Sequence, residues 1–139
     1  MLHLKSNSEI EKIRDASRIA AEAMLRVKET VKVGCTTEEL DSVAAKFIKS
    51  QGAKASALNY RGYPKSICVS TNNEIVHGIP GPRILLNGDI ISVDIAVQKD
   101  GFHGDMNVTM PVGQVDNEAK RLVDATFTCL ELGIAKSSP

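Results

Sequence analysis

The sequence has no tryptophan, and aromatic residues make up only 4% of its 139 residues. Its three cysteines, an odd number without a CxxC pair, predict no disulfide framework, so the reducing cytoplasm is the expected compartment. Lys plus Arg equals Asp plus Glu at 17 each, so neither nucleic acid nor an anionic membrane is expected as a partner. No long apolar run occupies residues 1–14, so no secretory signal or membrane span is predicted there.

The remaining class is a globular protein of ordinary size. Apolar residues make up 42% of the chain and charged residues 24%, which is typical of a soluble domain. A chain of this length can bury about two-thirds of its unfolded surface. Residues 1–139 are therefore expected to form a single domain.

Two capping boxes predict helix starts in the first third of the chain. Ser6 and Glu9 stand three residues apart, and apolar residues follow at helical spacing to about residue 30. Thr36 and Glu39 repeat this arrangement. The apolar face predicted for the second helix consists of Leu40, Val43, Ala44, Phe47 and Ile48.

The middle of the chain changes to a strand period. Ser66–Ser70 predicts a short strand, and the Pro- and Gly-rich residues 78–88 predict a loop. Residues 89–98 and 102–112 alternate on either side of Asp100-Gly101, which predicts a β-hairpin.

A third helix is predicted from Asp116 to Lys136. Its inner side is expected to carry Leu122, Val123, Ala125, Thr126, Cys129, Leu130 and Gly133. The order helix, helix, strands, helix predicts an α+β fold, in which helices cover one face of a largely antiparallel sheet.

The hairpin carries the strongest chemical signal. Alternation places four branched aliphatic residues on one face of its first strand: Ile91, Val93, Ile95 and Val97. The opposite face carries Asp94 and, on the returning strand, Asp105 and His103, although no role is assigned to His103. A turn centred between Lys99 and Asp100 sets Asp94 opposite Asp105. A turn centred one residue later makes the two aspartates diagonal neighbours. Either register brings their Cβ atoms within about 5–8 Å.

Like charges this close destabilise a hairpin, whereas a divalent cation between them removes the repulsion. Asp94 and Asp105 are therefore candidate metal ligands, and two carboxylates are too few for tight binding without further ligands from elsewhere. The alternative is that both aspartates are solvated residues on an open sheet face.

A second group of candidates precedes the hairpin. Tyr60 and Tyr63, backed by Cys68, can wall a small apolar pocket, or the tyrosines can cap the edge of the core. His77 ends an extended pair before a Gly-Ile-Pro loop, where a neutral imidazole can hydrogen-bond a substrate. The alternative for His77 is an ordinary surface histidine.

At these residues the chain resembles the type I, bacterial-type methionine aminopeptidases, whose fold is called pita-bread. The matching stretches, in order, are residues 62–70 (GYPKSICVS), Asn72, residues 77–80 (HGIP), residues 87–94 (NGDIISVD) and residues 99–105 (KDGFHGD). An ordered series of this kind is more specific than a single short motif. The segments around Pro64 and His77 are similar to this family rather than to its prolidase and creatinase relatives.

The resemblance implies metal-dependent removal of the initiator methionine from nascent proteins and peptides. It implies two divalent ions (Co, Mn, Fe or Zn) held in part by Asp94 and Asp105, and a substrate hydrogen bond from His77. Tyr60, Tyr63 and Cys68 are implied to line the methionine side-chain pocket, and Asn72 to lie in a loop that binds one monovalent cation. It also makes the ribosome a plausible partner.

The resemblance has departures. Ala57 stands where many relatives have cysteine, and residues 106–110 lack the usual polar run. The family also needs a ligand His and two ligand Glu from a second half that these 139 residues do not contain. The expectation is therefore an N-terminal half that is inactive alone. The alternative is a non-catalytic module that self-associates through its exposed half-site face or binds a partner.

Overall fold

The computed structural model describes residues 4–137. Three α-helices and four β-strands follow one another in the predicted order. None of the helices within the described range is long and apolar enough to cross a membrane. The elements are α1 (Asn7–Thr30), α2 (Thr37–Ser50), β1 (Lys54–Ala55), a 3₁₀ turn (Tyr60–Gly62), β2 (Cys68–Thr71), β3 (Ile90–Lys99), β4 (Phe102–Pro111) and α3 (Asn117–Lys136).

The four strands form one antiparallel sheet around β3. β4 pairs with β3 along its whole length, from Ile90 opposite Pro111 to Lys99 opposite Phe102. β2 pairs with residues 91–94 of β3, and β1 pairs with residues 97–98. The predicted hairpin is confirmed, and β2 begins two residues later than the predicted strand.

Both predicted capping boxes are present. The Ser6 side chain accepts a hydrogen bond from the backbone of Glu9, whose carboxylate accepts one from the backbone of Ser6 at 2.7 Å. Thr36 and Glu39 form the same reciprocal pair at the start of α2. Each box satisfies backbone donors that a helix start leaves unpaired, so the two starts follow from local sequence.

α1 and α2 cover one face of the sheet, and the core lies between them and the hairpin. The four aliphatic side chains predicted to be buried are 0% exposed: Ile91, Val93, Ile95 and Val97. α1 approaches β4 so closely that a Cβ placed on Gly104 would lie 2.3 Å from the backbone nitrogen of Ser17. The helix therefore contacts the strand through backbone atoms, which only glycine permits.

The prediction that one side of α3 is buried is wrong. No residue of α3 is buried, and Leu122 and Leu130 are 58% and 57% exposed. The helix itself forms as expected, with Asp116 as its N-cap. Its main contacts within residues 4–137 are with β4, and no second layer of those residues covers its apolar side chains. The pattern therefore predicted the helix correctly but not its burial.

Candidate functional site

The hairpin register brings Asp94 and Asp105 together on the face opposite the core. Asp94 pairs with Asn107, and Asp105 pairs with Ala96, so the two aspartates are diagonal neighbours. The turn is therefore centred between Asp100 and Gly101, and the alternative register is wrong. Both aspartates line a cavity of about 780 Å³.

The electrostatics of Asp94 fit a site made for a cation. Burial and the neighbouring Asp105 carboxylate raise the pKa of Asp94 above its usual value, while Asn107 and His77 oppose the change. Both causes disfavour the ionised carboxylate in the absence of a positive charge. A cation beside the pair would remove the repulsion and favour ionisation.

The predicted pocket residues line the same cavity, and Cys68 of β2 pairs directly with Asp94 of β3. Tyr60, Tyr63 and Cys68 all line it, although Tyr60 is 65% exposed and Cys68 is buried. The Tyr63 hydroxyl lies 2.9 Å from the carbonyl oxygen of Gly78 and 3.1 Å from that of Ile67, so it can donate to either. Burial is the main cause that raises the pKa values of both the Tyr63 phenol and the Cys68 thiol. These groups stay neutral near pH 7 and form a mostly apolar wall.

His77 lines the same cavity from a loop that is held in place by its neighbour. Its φ is +58°, which is uncommon for a residue with a side chain. Gly78 donates to the Ser70 hydroxyl at 3.1 Å and accepts from the Val69 backbone at 2.9 Å. A Cβ on Gly78 would lie 2.2 Å from the Val69 oxygen, so only glycine can lie this close to β2. The contact fixes the position of the backbone next to His77.

Asn72 lies outside this cavity. Its side chain donates to Asp89 at 2.9 Å and accepts from the Ile90 backbone at 3.0 Å, and its φ is +54°. It lines a separate pocket with Ser70 and Thr109. The structure therefore brings six of the seven predicted site residues to one cavity and leaves Asn72 at the neighbouring turn.

Three further residues contribute to the site, and sequence reasoning gave them no role. His103 lines the cavity, with its Nδ1 2.9 Å from the Ser56 hydroxyl. Strand alternation already sets His103 on the face of Asp105, so a signal existed. Asp41 of α2 is buried and accepts from the backbones of Ser66 and Ile67 at 2.8 and 3.1 Å, which anchors the start of β2. The roles of Ser56 and Asp41 could not be predicted from the sequence, because their hydrogen-bond partners lie far away along the chain.

The donor set fits a divalent metal in part. Carboxylate oxygens suit Mg, Mn and similar ions, and Asp94 and Asp105 are diagonal neighbours that line one accessible cavity. Within residues 4–137, no group of three or more His, Cys, Asp or Glu side chains could hold a metal ion. Asp94 and Asp105 could therefore supply two ligands, and other groups would have to supply the rest.

Comparison with known proteins places these residues in a family. The model of metallopeptidase family M24 matches residues 11–139. Methionine aminopeptidase 1 of Bacillus subtilis is 44% identical over all 139 residues, which cover 56% of its own length. The methionine aminopeptidase of Borreliella burgdorferi is 43% identical over 97% of this chain and 54% of its own length.

A solved structure agrees with the observed fold. The crystal structure of methionine aminopeptidase from Thermotoga maritima aligns with all of this chain and 56% of its own, at a TM-score of 0.97 and 35% identity. The chain therefore spans about half the length of the curated relatives it matches. The similarity confirms the predicted pita-bread α+β fold for the part that is covered. The chain belongs to metallopeptidase family M24.

Proposed function

We propose that this chain is the N-terminal half of a methionine aminopeptidase that removes initiator methionine from nascent proteins and peptides. The observation that carries the proposal is the position of Asp94 and Asp105 as diagonal neighbours on one face of the hairpin, in a cavity shared with His77 and Tyr63. The relatives of the preceding comparison support it, since they are named methionine aminopeptidases. On this proposal residues 1–139 form one domain that carries part of the metal site.

Asp94 and Asp105 would hold two divalent ions of the Co, Mn, Fe or Zn type together with ligands from a second half. Such ions, when bound, would lower the pKa of water and polarise the scissile carbonyl. His77 would hydrogen-bond the substrate near the scissile amide, from the loop fixed by Gly78. Its exposure at the cavity wall leaves the imidazole free to meet a peptide.

The pocket wall would receive the methionine side chain. Tyr63 and Cys68 present neutral, weakly polar surface, and Tyr60 would close over the outer end. Ala57, which also lines the cavity, leaves more room than a larger residue would. An unbranched, polarisable side chain such as methionine suits an irregular pocket of this kind.

The remaining assignments concern surroundings and partners. Asn72 would belong to a turn that binds one monovalent cation through backbone oxygens, and its side-chain bonds to Asp89 and Ile90 hold that turn rigid. The substrates would be nascent chains at the ribosome in the cytoplasm. No role for nucleic acid or membrane follows from the balanced charge.

An aminopeptidase assay on Met-Ala-Ser with Mn²⁺ or Co²⁺ tests the proposal. The 139-residue chain alone should give no turnover, because Asp94 and Asp105 are an incomplete ligand set. Addition of the complementary C-terminal part of the Bacillus subtilis relative should restore it. Asp94→Asn should remove the restored activity, whereas the matched control Asp100→Asn at the exposed hairpin turn should retain it. Robust turnover by the unsupplemented chain that Asp94→Ala abolishes would contradict the half-site assignment.

A second candidate function is a non-catalytic module that self-associates. The observation in its favour is the exposed apolar surface of α3, where Phe127, Leu130 and Ile134 are 59%, 57% and 64% exposed. Sedimentation at high micromolar concentration separates the two candidates. A clean monomer argues against the module, and a dimer that persists after Asp94→Asn but not after Leu130→Glu supports it.

A further inference from the structure

The cavity is lined by charged side chains of both signs. The hairpin contributes Asp94 and Asp105, and the loop of residues 60–64 contributes Arg61. Within residues 4–137, none of the observed ion pairs includes Arg61. Its guanidinium lies 5.5 Å from the centroid of the Tyr60 ring. Arg61 therefore offers an exposed cation that no carboxylate of the described chain neutralises.

The backbone holds Arg61 in an unusual conformation. Its φ is +49°, and Asn59 two residues earlier has φ +65°. Left-handed conformations cost free energy for residues other than glycine, and Arg lacks the short polar side chain that eases the cost for Asn. The turn is closed by hydrogen bonds from Asn59 N to Tyr63 O at 2.8 Å and from Tyr63 N to Tyr60 O at 3.0 Å. A strained position that the surrounding bonds enforce is typical of a functional loop.

The exposed Arg61 cation is suited to bind a peptide that carries a carboxylate after its first residue. The amino-terminal end would lie towards Asp94 and Asp105, as the proposed function requires, and a carboxylate further along the peptide would share the cavity with the Arg61 guanidinium. Arginine presents a planar fork of donors that binds a carboxylate through two parallel hydrogen bonds. We infer that Arg61 is a specificity-determining residue that favours peptides with a carboxylate at the second or third position; this inference rests on the proposed function.

Two sources can supply that carboxylate: an acidic side chain, or the free C-terminus of a short peptide. Peptide binding, measured without turnover, separates them. The probes are Met-Ala-Asp amide, Met-Ala-Asn amide and Met-Ala-Asn free acid. The readout is the shift of backbone amide NMR signals of residues 60–63 and Ala96, with the 139-residue chain titrated at low salt.

Both carboxylate peptides, or one of them, should bind about fivefold more tightly than Met-Ala-Asn amide, as expected for one exposed charge pair. High salt should reduce that ratio, because it screens exposed charges. Arg61→Asn removes the cation but keeps a residue that adopts positive φ, so the loop should retain its shape and the ratio should fall to about one. Arg121→Gln, an equal charge change on exposed α3, should leave the ratio unchanged.

The outcomes separate this inference from the proposed function. Equal binding of all three peptides at the cavity would contradict the role of Arg61 and leave the proposed function standing. A carboxylate preference that survives Arg61→Asn would also contradict it. The absence of cavity shifts with every peptide would contradict the inference, whereas the proposed function is tested separately by the restored turnover of the supplemented chain.

Discussion

α1 and α3 have similar sequence patterns but differ in how far they are buried. Both are long, with 24 and 20 residues, and both begin at a side-chain cap. α1 buries six of its residues, while α3 buries none. α1 has the sheet to cover, whereas α3 lies beside β4 with its apolar side chains open to solvent. An apolar period therefore predicts a helix, but its burial depends on a second surface.

The two faces of β3 repeat the contrast within a single strand. Residues 91, 93, 95 and 97 are buried against the helices, and the alternating residues 92, 94 and 96 are half-buried. The covered side holds the aliphatic core, and the open side holds the carboxylates and the cavity. The covered side should thus supply most of the stability, and the open side should supply binding.

The largest effect on stability is expected from a substitution that breaks the contact between α1 and β4. Gly104→Ala should lower the free energy of unfolding by about 3 kcal/mol or more, because its Cβ would lie 2.3 to 2.5 Å from backbone atoms of Ala16 and Ser17. Gly133→Ala in α3 is the matched control, since a Cβ there meets nothing within 4 Å. It should raise stability by about 0.5–1 kcal/mol through helix propensity. Urea denaturation followed by circular dichroism measures both. A similar loss in the two variants would show that the contrast between the helices is false.

A smaller effect is expected from truncating one isoleucine in each helix. Ile19 is 2% exposed in α1 and Ile134 is 64% exposed in α3. Ile19→Ala should therefore cost about 2–4 kcal/mol through lost burial and a cavity. Ile134→Ala should change stability by less than about 0.5 kcal/mol. The same denaturation experiment compares them, and a large loss for Ile134→Ala at low protein concentration would mean that α3 is buried after all.

The smallest effects concern two aspartates with opposite environments. Burial would raise the pKa of Asp89, but hydrogen bonds from the Leu86 backbone and the Asn72 side chain, with Arg83 nearby, outweigh it and hold that pKa below its usual value. The unfolded chain then binds the proton more readily. The stability that Asp89 contributes is therefore full above its unfolded pKa, near 4, and is lost as pH falls through its folded value.

Asp94 should behave in the opposite way in the metal-free chain. Burial and Asp105 raise its pKa, so its contribution is largest at low pH and is lost as pH rises from the unfolded value to the raised one. At pH 7, Asp89→Asn should cost about 1–2 kcal/mol, while Asp94→Asn should be neutral or gain up to about 1 kcal/mol. Carboxyl NMR titration combined with unfolding from pH 3 to 7 tests both signs. If both variants changed the stability by the same amount and with the same pH dependence, the proposed difference between the two environments would be contradicted.

The local elements of this fold can be predicted from the sequence because their causes are local. The capping boxes at Ser6 and Thr36 and the turn at Asp100 specify starts and reversals with residues three or fewer apart. Strand alternation then puts Asp94 and Asp105 on one face without knowledge of the rest. Tyr60, Tyr63 and His77 were candidates from the residues themselves, the resemblance implied their roles, and all three line one cavity.

Features that depend on distant contacts cannot be predicted in this way. Ser56 meets His103 across 47 positions of the sequence, and Asp41 meets Ser66 across 25. The approach of α1 to Gly104 and the exposure of α3 are likewise set by packing between layers. The register of the hairpin stayed open for a related reason, since a shift of the turn by one residue changes which side chains face one another.

The most direct measurement of the central claim is Mn²⁺ titration of the 139-residue chain, followed by paramagnetic broadening of its amide NMR signals. We expect weak, saturable binding that broadens signals around Asp94 and Asp105 first. Asp94→Asn should remove this effect, and Asp100→Asn should leave it intact. Broadening centred elsewhere, or unchanged by Asp94→Asn, would contradict the claim that the paired carboxylates hold a divalent cation.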